Sequence, residues 1–275
     1  MFYDRRIIWK NNTTPVDITI AVTGPTAASV VIDYVAADDK IYVGSIYPFN
    51  HLYFDFAVVN ATTVTPSVRM WNGSSWVSTV DLIDETDGWK QAGKISWNVP
   101  RETSWHRELD SFDVDGLTGT VIYNFYWAEL SFSGDLTGTT DLKYVGQLFS
   151  TNSDLFTMYP DLNKTALMEQ YEAGKTNWTR ECILGTESCL SYLKAKNIIK
   201  GDSSIMRPDL LKVACIHKTA QMIYSSFGEA YKDDWKRAGD AFNEAISMKF
   251  YQTDVDSTGE LSLEERQIPT GKLIR

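Results

Sequence analysis

Oxygen-bearing residues recur at regular spacing in residues 254–265, and their pattern matches the twelve-position calcium loop in register. Gly259 falls at the position of the sharp turn. The ligands would be the side chains of Asp254, Asp256 and Thr258, the Glu260 carbonyl, Ser262 through a water, and a bidentate Glu265. Because calcium binds hard oxygen ligands, this segment predicts a calcium site.

A second interpretation of the same segment stays open. An EF-hand needs an exiting helix and usually a paired loop, but Pro269 and Gly271 follow almost at once. Ser262 and Glu265 also have the spacing of a capping box, which would close one short helical turn without a metal.

Other residues that could do chemistry form no recognisable catalytic set. The sequence has no Gly-rich phosphate loop, no His-Glu-x-x-His and no Gly-x-Ser-x-Gly. Carboxylates lie close together in two turn-rich segments, where aspartate is favoured for local hydrogen bonding. They are Asp84, Glu85 and Asp87 in the first and Asp110, Asp113 and Asp115 in the second. His51 and His106 have no neighbouring ligand pattern. We therefore expect no enzyme activity.

Two helices are expected in residues 208–249. Pro208 suits a first helical turn. One broad apolar face follows it, made of Leu210, Val213, Ala214, Ala220, Ile223, Tyr224 and Phe227. After Gly228, a second helix is indicated by Trp235, Ala238, Phe242, Ala245, Ile246 and Lys249. The short connection predicts an antiparallel helical hairpin.

A second apolar stripe on the first of these helices contains Leu211, Cys215 and Met222. One partner helix would leave this stripe uncovered, which is typical of an interface between copies. The alternative is that residues 161–200 cover it within the chain.

The order of these features resembles the head–tail connector (adaptor or neck) proteins of tailed bacteriophages. The resemblance covers residues 152–265 and is carried by residues 207–224, by Asp234-Trp235 with the long helix after it, and by the Asp-x-Asp-x-x-Gly turn. It implies a homo-oligomeric ring, dodecameric if it follows the family, in the neck of a virion. The implied partners are the portal protein, the tail or a second neck protein, and DNA that passes without sequence readout.

Composition divides the chain near residue 150. Residues 1–150 carry 10 Lys and Arg against 18 Asp and Glu, a net of −8, and the remainder accounts for −2 of the total −10. The first part is rich in Thr, Val and aromatics, and the second in Leu, Ala, Lys and Glu. We predict an α+β chain of two separate domains, a jelly-roll-like β-sandwich at 1–150 and a helical bundle or hairpin of connector type at 151–275.

Short alternating segments between turn residues predict seven or eight strands in the first part. They occupy residues 16–22, 29–34, 40–46, 53–59, 67–71, 93–97 and 120–132. Asn72-Gly73 is the strongest hairpin signal, because both residues tolerate a positive φ.

The segments 87–90 and 93–100, Trp105 and the segment 123–132 together resemble a β-sandwich module that recurs in phage virion proteins. Trp71, Trp76, Trp89, Trp97, Trp105 and Trp127 either pack the core or line a platform for sugar rings. The platform leads to an alternative function, a glycan-binding module on a helical virion anchor. A carbohydrate-active enzyme is a third hypothesis, which needs two carboxylates in one cleft.

Charge and targeting signals restrict the expected partners and location of the protein. A sequence pI near 4.8 lacks the basic surface of a duplex-reading protein. We expect synthesis in the host bacterial cytoplasm and no membrane association, because neither a signal peptide nor a long apolar segment is present. Cys182, Cys189 and Cys215 match no zinc spacing and are expected to be reduced core residues.

Overall fold

The computed structural model describes residues 5–24, 28–100, 105–108, 117, 125–201 and 208–247. In these residues antiparallel strands come first and helices follow, so the chain is of the α+β class. The described chain divides into two compact units. The β unit contains the described residues up to Gly146 together with Gly201, and the helical unit contains residues 147–200 and 208–247.

Two antiparallel sheets form the described β unit. One has the order β2-β1-β4-β10-β6-β7 and the other β3-β11-β5-β9-β8. The first consists of β1 (Arg5–Asn11), β2 (Thr14–Asp17), β4 (Lys40–Ser45), β6 (Pro66–Trp71), β7 (Trp76–Ser78) and β10 (Tyr126–Phe132). The second consists of β3 (Val30–Val31), β5 (His51–Val58), β8 (Val80–Asp84), β9 (Gly93–Asn98) and β11 (Asp141–Gly146). A short helix, α1, spans Thr19–Val22.

Both sheets contribute to one shared core. Successive side chains of a strand point to opposite faces, so only alternate residues enter it. On β10, Ala128 and Leu130 belong to this core, whereas Trp127 packs on the opposite face of the sheet. Phe54 and Ile95 enter the same core from the second sheet. The apolar alternation in the sequence therefore translates directly into buried faces.

Two predicted strands are partly wrong. The strand predicted at residues 16–22 ends at Asp17, because the Asp17 carboxylate accepts the Thr19 backbone N–H and helix α1 begins there. The Thr19 hydroxyl in turn accepts the backbone N–H of Ile7, which holds this turn against β1. The strand predicted at residues 29–34 is only two residues long.

The hairpin predicted at Asn72-Gly73 is confirmed. Trp71 of β6 pairs with Trp76 of β7, so the connection has four residues. The Asn72 side-chain oxygen accepts the backbone N–H groups of Ser74 and Ser75, and Gly73 has a φ of 95°. The other strands predicted between residues 40 and 97, and the β10 part of the segment 120–132, are also confirmed.

Helices make up the second unit. They are α2 (Asn152–Met158), α3 (Thr165–Tyr171), α4 (Thr179–Ala195), α5 (Lys212–Ser225) and α6 (Lys232–Ser247). Short 3-10 turns span Pro160–Asn163, Pro208–Leu211 and Gly228–Tyr231. The predicted antiparallel hairpin of α5 and α6 is confirmed, since Lys218 lies beside Phe242 and Gln221 beside Gly239. Helix α5 is central, because α2, α4 and α6 all pack against it.

Candidate functional site

The predicted calcium loop at residues 254–265 lies outside the described residues, so Asp254, Asp256, Thr258, Glu260, Ser262 and Glu265 remain a prediction from sequence. Elsewhere, the described ranges contain no group of three or more His, Cys, Asp or Glu side chains placed to hold a metal ion.

The tryptophans named as a sugar platform are part of the packing of the β unit. Trp71, Trp89, Trp97, Trp105 and Trp127 are buried. Trp76 is half-buried, with its ring centroid 5.5 Å from those of Trp71 and Tyr42. A sugar ring needs an open aromatic face, so the platform prediction is wrong and the core interpretation is confirmed.

Carboxylates in the turn at residues 84–89 serve local structure. Asp84 accepts hydrogen bonds from the Thr86 N–H and hydroxyl on one oxygen and from the Gly88 N–H on the other. These bonds hold a turn in which Asp87, Gly88 and Trp89 all have positive φ. Both Asp84 oxygens are thus occupied. Asp110, Asp113 and Asp115 lie outside the described residues.

Two glutamates of the β unit are buried, which the sequence did not indicate. Glu129 on β10 accepts two hydrogen bonds from Arg69 on β6, at 2.9 and 2.6 Å. Glu108 accepts one from the Trp127 indole N–H at 3.1 Å. Arg69 and Glu129 are directly opposite in the strand register, so a cross-strand ion pair explains the buried Glu129 charge.

His51 is also fully enclosed. Its Nδ1 lies 2.9 Å from the Asn50 side-chain oxygen. Burial, reinforced by the positive charges of Arg5 and Lys94, lowers the pKa of His51 to about 3. The ring is therefore neutral at physiological pH and acts as a core residue.

The apolar stripe of Leu211, Cys215 and Met222 is largely covered within the chain. Leu211 and Cys215 are fully buried, and Cys215 contacts Cys189 and Thr186 of α4. Leu211 and Cys215 are therefore not an uncovered stripe, and residues 161–200 cover it at Cys215. Met222 remains half-buried, and its sulfur accepts the Ser188 hydroxyl at 3.7 Å.

Small residues allow α4 and α5 to pack closely. A Cβ on Gly185 would overlap the Thr219 hydroxyl, so this position of α4 favours glycine. All three cysteines are free and buried, as expected for core residues. Burial raises the pKa of Cys182 to about 12, which keeps its thiol protonated and unreactive.

A groove remains where α4 and α6 flank α5. Its volume is about 400 Å³. It is lined by Leu184, Glu187, Ser188, Ser191, Tyr192, Lys218 and Phe242. The Tyr192 and Phe242 rings meet edge to face at 5.7 Å and connect α4 with α6. We call this surface the α4–α6 groove.

Lys218 supplies a positive charge to the α4–α6 groove. Its Nζ lies 5.2 Å from the centre of the Phe242 ring and 3.0 Å from the Gln221 side-chain oxygen. Among the described residues no carboxylate forms an ion pair with it. A half-buried ammonium with only neutral partners can still donate hydrogen bonds to an external carboxylate or carbonyl group.

Trp235 extends the apolar surface along α6. It lies seven residues, or about two helical turns, before Phe242, so both side chains are on one face of the helix. Ala238, Phe242 and Ile246 of this face are buried, whereas 42% of Trp235 is exposed. The first turn of α6 therefore presents an indole that the described helices leave uncovered.

A second exposed apolar surface, which we call the α2–α5 surface, is formed by Met158 and Val213, 43% and 36% exposed. Two contacts join the helices that carry them. The Tyr159 hydroxyl lies 2.7 Å from His217 Nδ1, and Lys212 forms a 3.0 Å ion pair with Asp154. Val213 precedes Lys218 by five residues, so the two side chains are about 140° apart around α5.

Comparison of the sequence with models of known protein families and with curated proteins finds no match. No helix in the described part of the chain has the length and apolar character needed to cross a membrane.

Proposed function

We propose that the protein is a structural component of the neck of a tailed bacteriophage, forming a ring that joins the portal to the tail and lines the DNA exit path. The observation that carries this proposal is the uncovered apolar surface of the helical unit. Trp235, Met158 and Val213 are exposed, and the α4–α6 groove is partly lined by apolar side chains. Exposed apolar surface of this kind is typical of protein interfaces.

The helical pattern also supports the proposal. The α5–α6 hairpin follows the order of features by which residues 152–265 resemble connector proteins. A net charge of −10 suits a conduit, because an acidic wall repels the phosphate backbone of passing DNA. The occupied carboxylates of Asp84 and Glu129 and the buried tryptophans give no support to the enzymatic or glycan-binding alternatives.

We further propose that the chain consists of two separate domains, a jelly-roll-like sandwich at 1–150 and a connector-type helical domain at 151–275. Two compact units and a core shared by two antiparallel sheets support this division. Residues 1–146 produced alone should be soluble and give a β-type circular dichroism spectrum. An insoluble fragment from a soluble full-length chain would contradict independent folding.

Electron microscopy of the chain mixed with its portal protein tests the neck function. We expect a closed ring on the portal, with twelve copies if the family pattern holds, and native mass spectrometry should give the copy number. A portal complex without the chain, or with single scattered copies, would overturn the proposal.

A further inference from the structure

We infer that the hairpin between β6 and β7 is a covalent self-modification site, at which the Asn72 carboxamide reacts with the Gly73 backbone and becomes a carboxylate. The inference does not depend on the proposed neck function. Asn72 and Gly73 form the only Asn-Gly pair in the chain. The groups that take part are the Asn72 carboxamide, the Gly73 N–H and the His106 imidazole.

The reaction is an intramolecular cyclisation followed by hydrolysis. The Gly73 nitrogen gives its proton to a base and attacks Asn72 Cγ, forming an N–Cγ bond and a tetrahedral centre with negative charge on Oδ1. This centre collapses, the Cγ–Nδ2 bond breaks, and Nδ2 takes a proton and leaves as ammonia. Water then opens either carbonyl of the resulting succinimide. Asparagine and water thus give ammonia and an aspartate or isoaspartate, without any change of oxidation state.

The attacking nitrogen is accessible. Gly73 is exposed and has no side chain to block the approach. Its φ of 95° is one that glycine adopts without strain. In the part of the chain that the structure describes, the Gly73 N–H donates to no protein group. Its proton can therefore be transferred to a base.

The base is His106. Its backbone N–H donates to the Trp71 carbonyl at 3.1 Å, which holds the residue beside the end of β6. A Cβ on Gly73 would lie 3.3 Å from both Cβ and Cγ of His106 and 3.7 Å from its Cδ2, so the imidazole is next to the Gly73 backbone. His106 is exposed, and its neutral ring can accept the Gly73 proton directly or through one water.

The Asn72 oxygen is surrounded by donors where negative charge develops. It accepts the backbone N–H groups of Ser74 and Ser75 at 3.0 and 2.8 Å, and their hydroxyls at 3.1 and 3.4 Å. Donors already placed around an oxygen stabilise the anion that forms there, as in an oxyanion hole. Among the described residues no group accepts from Asn72 Nδ2, so nothing retains the departing nitrogen.

Asn152 has the opposite arrangement and is an internal control. Its oxygen accepts the Trp178 backbone N–H at 2.7 Å, and its Nδ2 donates to the Thr179 hydroxyl at 2.8 Å. The next residue, Ser153, is part of α2. Both ends of this carboxamide are therefore held, so we expect it to stay intact while Asn72 reacts.

The two products affect the hairpin differently. Aspartate keeps an acceptor oxygen for the N–H groups of Ser74 and Ser75 and adds a negative charge beside His106. Isoaspartate places an extra methylene in the main chain and so lengthens the connection between Trp71 and Trp76. In both cases a neutral hairpin tip becomes acidic without another enzyme.

Peptide mapping of the folded full-length chain tests the inference. The chain is kept at neutral pH and physiological temperature, digested with trypsin at intervals and analysed by mass spectrometry. Asn72 is the only asparagine of the tryptic peptide 70–90, so an amide-to-acid mass gain there reports this residue. We expect aspartate and isoaspartate forms that separate by chromatography, each carrying one ¹⁸O atom when the incubation is done in H₂¹⁸O. Asn152 should keep its amide.

Substitutions test the individual groups. His106→Gln removes the base and should slow the conversion at least about tenfold, whereas the matched control His217→Gln, in the helical unit, should leave the rate within about twofold. Asn72→Gln keeps an amide but would have to close a larger ring, and its mass should not change. Circular dichroism verifies that each variant is folded.

A synthetic peptide of residues 68–78 provides the comparison without the fold. It has the same Asn-Gly pair but lacks His106 and a fixed hairpin, so the folded chain should convert faster. Equal or slower conversion in the folded chain would show that the hairpin protects Asn72 and would overturn the inference. An unchanged rate in His106→Gln, or loss of the Asn152 amide as fast as that of Asn72, would overturn it as well.

Discussion

The β unit and the helical unit use tryptophan differently. Of the seven tryptophans in residues 1–146, six are buried, and Trp76 is half-buried against Trp71. In the helical unit, Trp178 is fully buried and donates its indole N–H to the Leu162 carbonyl at 2.8 Å, whereas Trp235 is well exposed. Tryptophan thus packs against other side chains throughout the β unit, whereas in the helical unit one tryptophan is buried and the other is exposed.

This difference follows from how each kind of element covers its surface. A strand sends alternate side chains to two faces, and in the β unit aromatic residues pack on both faces of the first sheet. A helix in a small unit is covered only where a neighbour lies beside it. Helices α4 and α6 both pack on α5, and a groove remains between them. Surface left for binding is therefore expected in the helical unit.

The largest effects should come from truncating the buried tryptophans. Trp89→Ala in the β unit and Trp178→Ala in the helical unit should each lower the free energy of unfolding by about 3–5 kcal/mol, because both leave large cavities. Denaturant titration followed by near-ultraviolet circular dichroism measures this.

The same two substitutions also test whether the β unit and the helical unit unfold independently. If the units are separate domains, each substitution should shift one of two unfolding transitions and leave the other unchanged. A single transition that both variants shift equally would show that the units unfold together and would contradict their separation into two domains.

Sequence patterns predicted the helices and strands better than they predicted which side chains are exposed. The helices after residue 208 and the hairpin at Asn72-Gly73 depend on local periodicity and turn chemistry, and both are confirmed. The end of β2 depends on a side-chain bond from Asp17, which alternation alone does not reveal. The burial of Glu129 depends on a register with Arg69 sixty positions earlier in the chain, which no local pattern encodes.

Local pattern also does not reveal what covers the stripe of Leu211, Cys215 and Met222. Leu211 and Cys215 are both fully buried, and Cys215 contacts Cys189 and Thr186 of α4, which is distant in sequence. No local pattern distinguishes Lys218, because an isolated lysine on a helix usually faces water. Its importance follows only from the placement of Phe242 and Tyr192 around the groove, which is a property of packing.

Acid should destabilise the β unit through His51. Burial lowers its folded-state pKa to about 3, well below the unfolded value of about 6.5. Between these values the unfolded state binds the extra proton, so stability is lost as pH falls below about 6.5, with a slope approaching about 1.4 kcal/mol per pH unit.

Urea titrations of the wild type and His51→Gln from pH 7 to pH 4 measure this contribution. The variant should lose less stability over that range. His217→Gln is the control from the helical unit, because His217 is only half-buried and its pKa is lowered by that partial burial. A pH dependence that His51→Gln leaves unchanged would show that other groups cause the acid sensitivity.

Calcium should have a smaller effect, through residues 254–265. A single loop without a partner should bind at about 10⁻⁴–10⁻³ M. At 1 mM calcium this corresponds to about 0.4–1.4 kcal/mol of added stability. Asp254→Ala combined with Glu265→Gln removes two of the charged ligands and should abolish the calcium-dependent rise in melting temperature. If the wild type shows no rise at millimolar calcium and the double substitution leaves stability unchanged, the loop is only a capped turn.

The smallest effect on stability is expected at the exposed tryptophan of α6. Trp235→Ala removes a side chain that the described helices leave partly uncovered, so the free energy of unfolding should change by no more than about 0.5–1 kcal/mol. Trp178→Ala provides the contrast within the same unit. Assembly should respond in the opposite order, because Trp235 extends the apolar surface beside the α4–α6 groove while Trp178 is fully buried.

Native mass spectrometry of Trp235→Ala at matched concentration separates these roles. We expect a monomer that is as stable as the wild type and forms rings at least tenfold less readily. A large loss of stability would mean that Trp235 packs within the chain like the tryptophans of the β unit. Wild-type stability with wild-type assembly would mean that the exposed surface of Trp235 lies outside the contact between copies. The two units would then differ only in how their tryptophans pack.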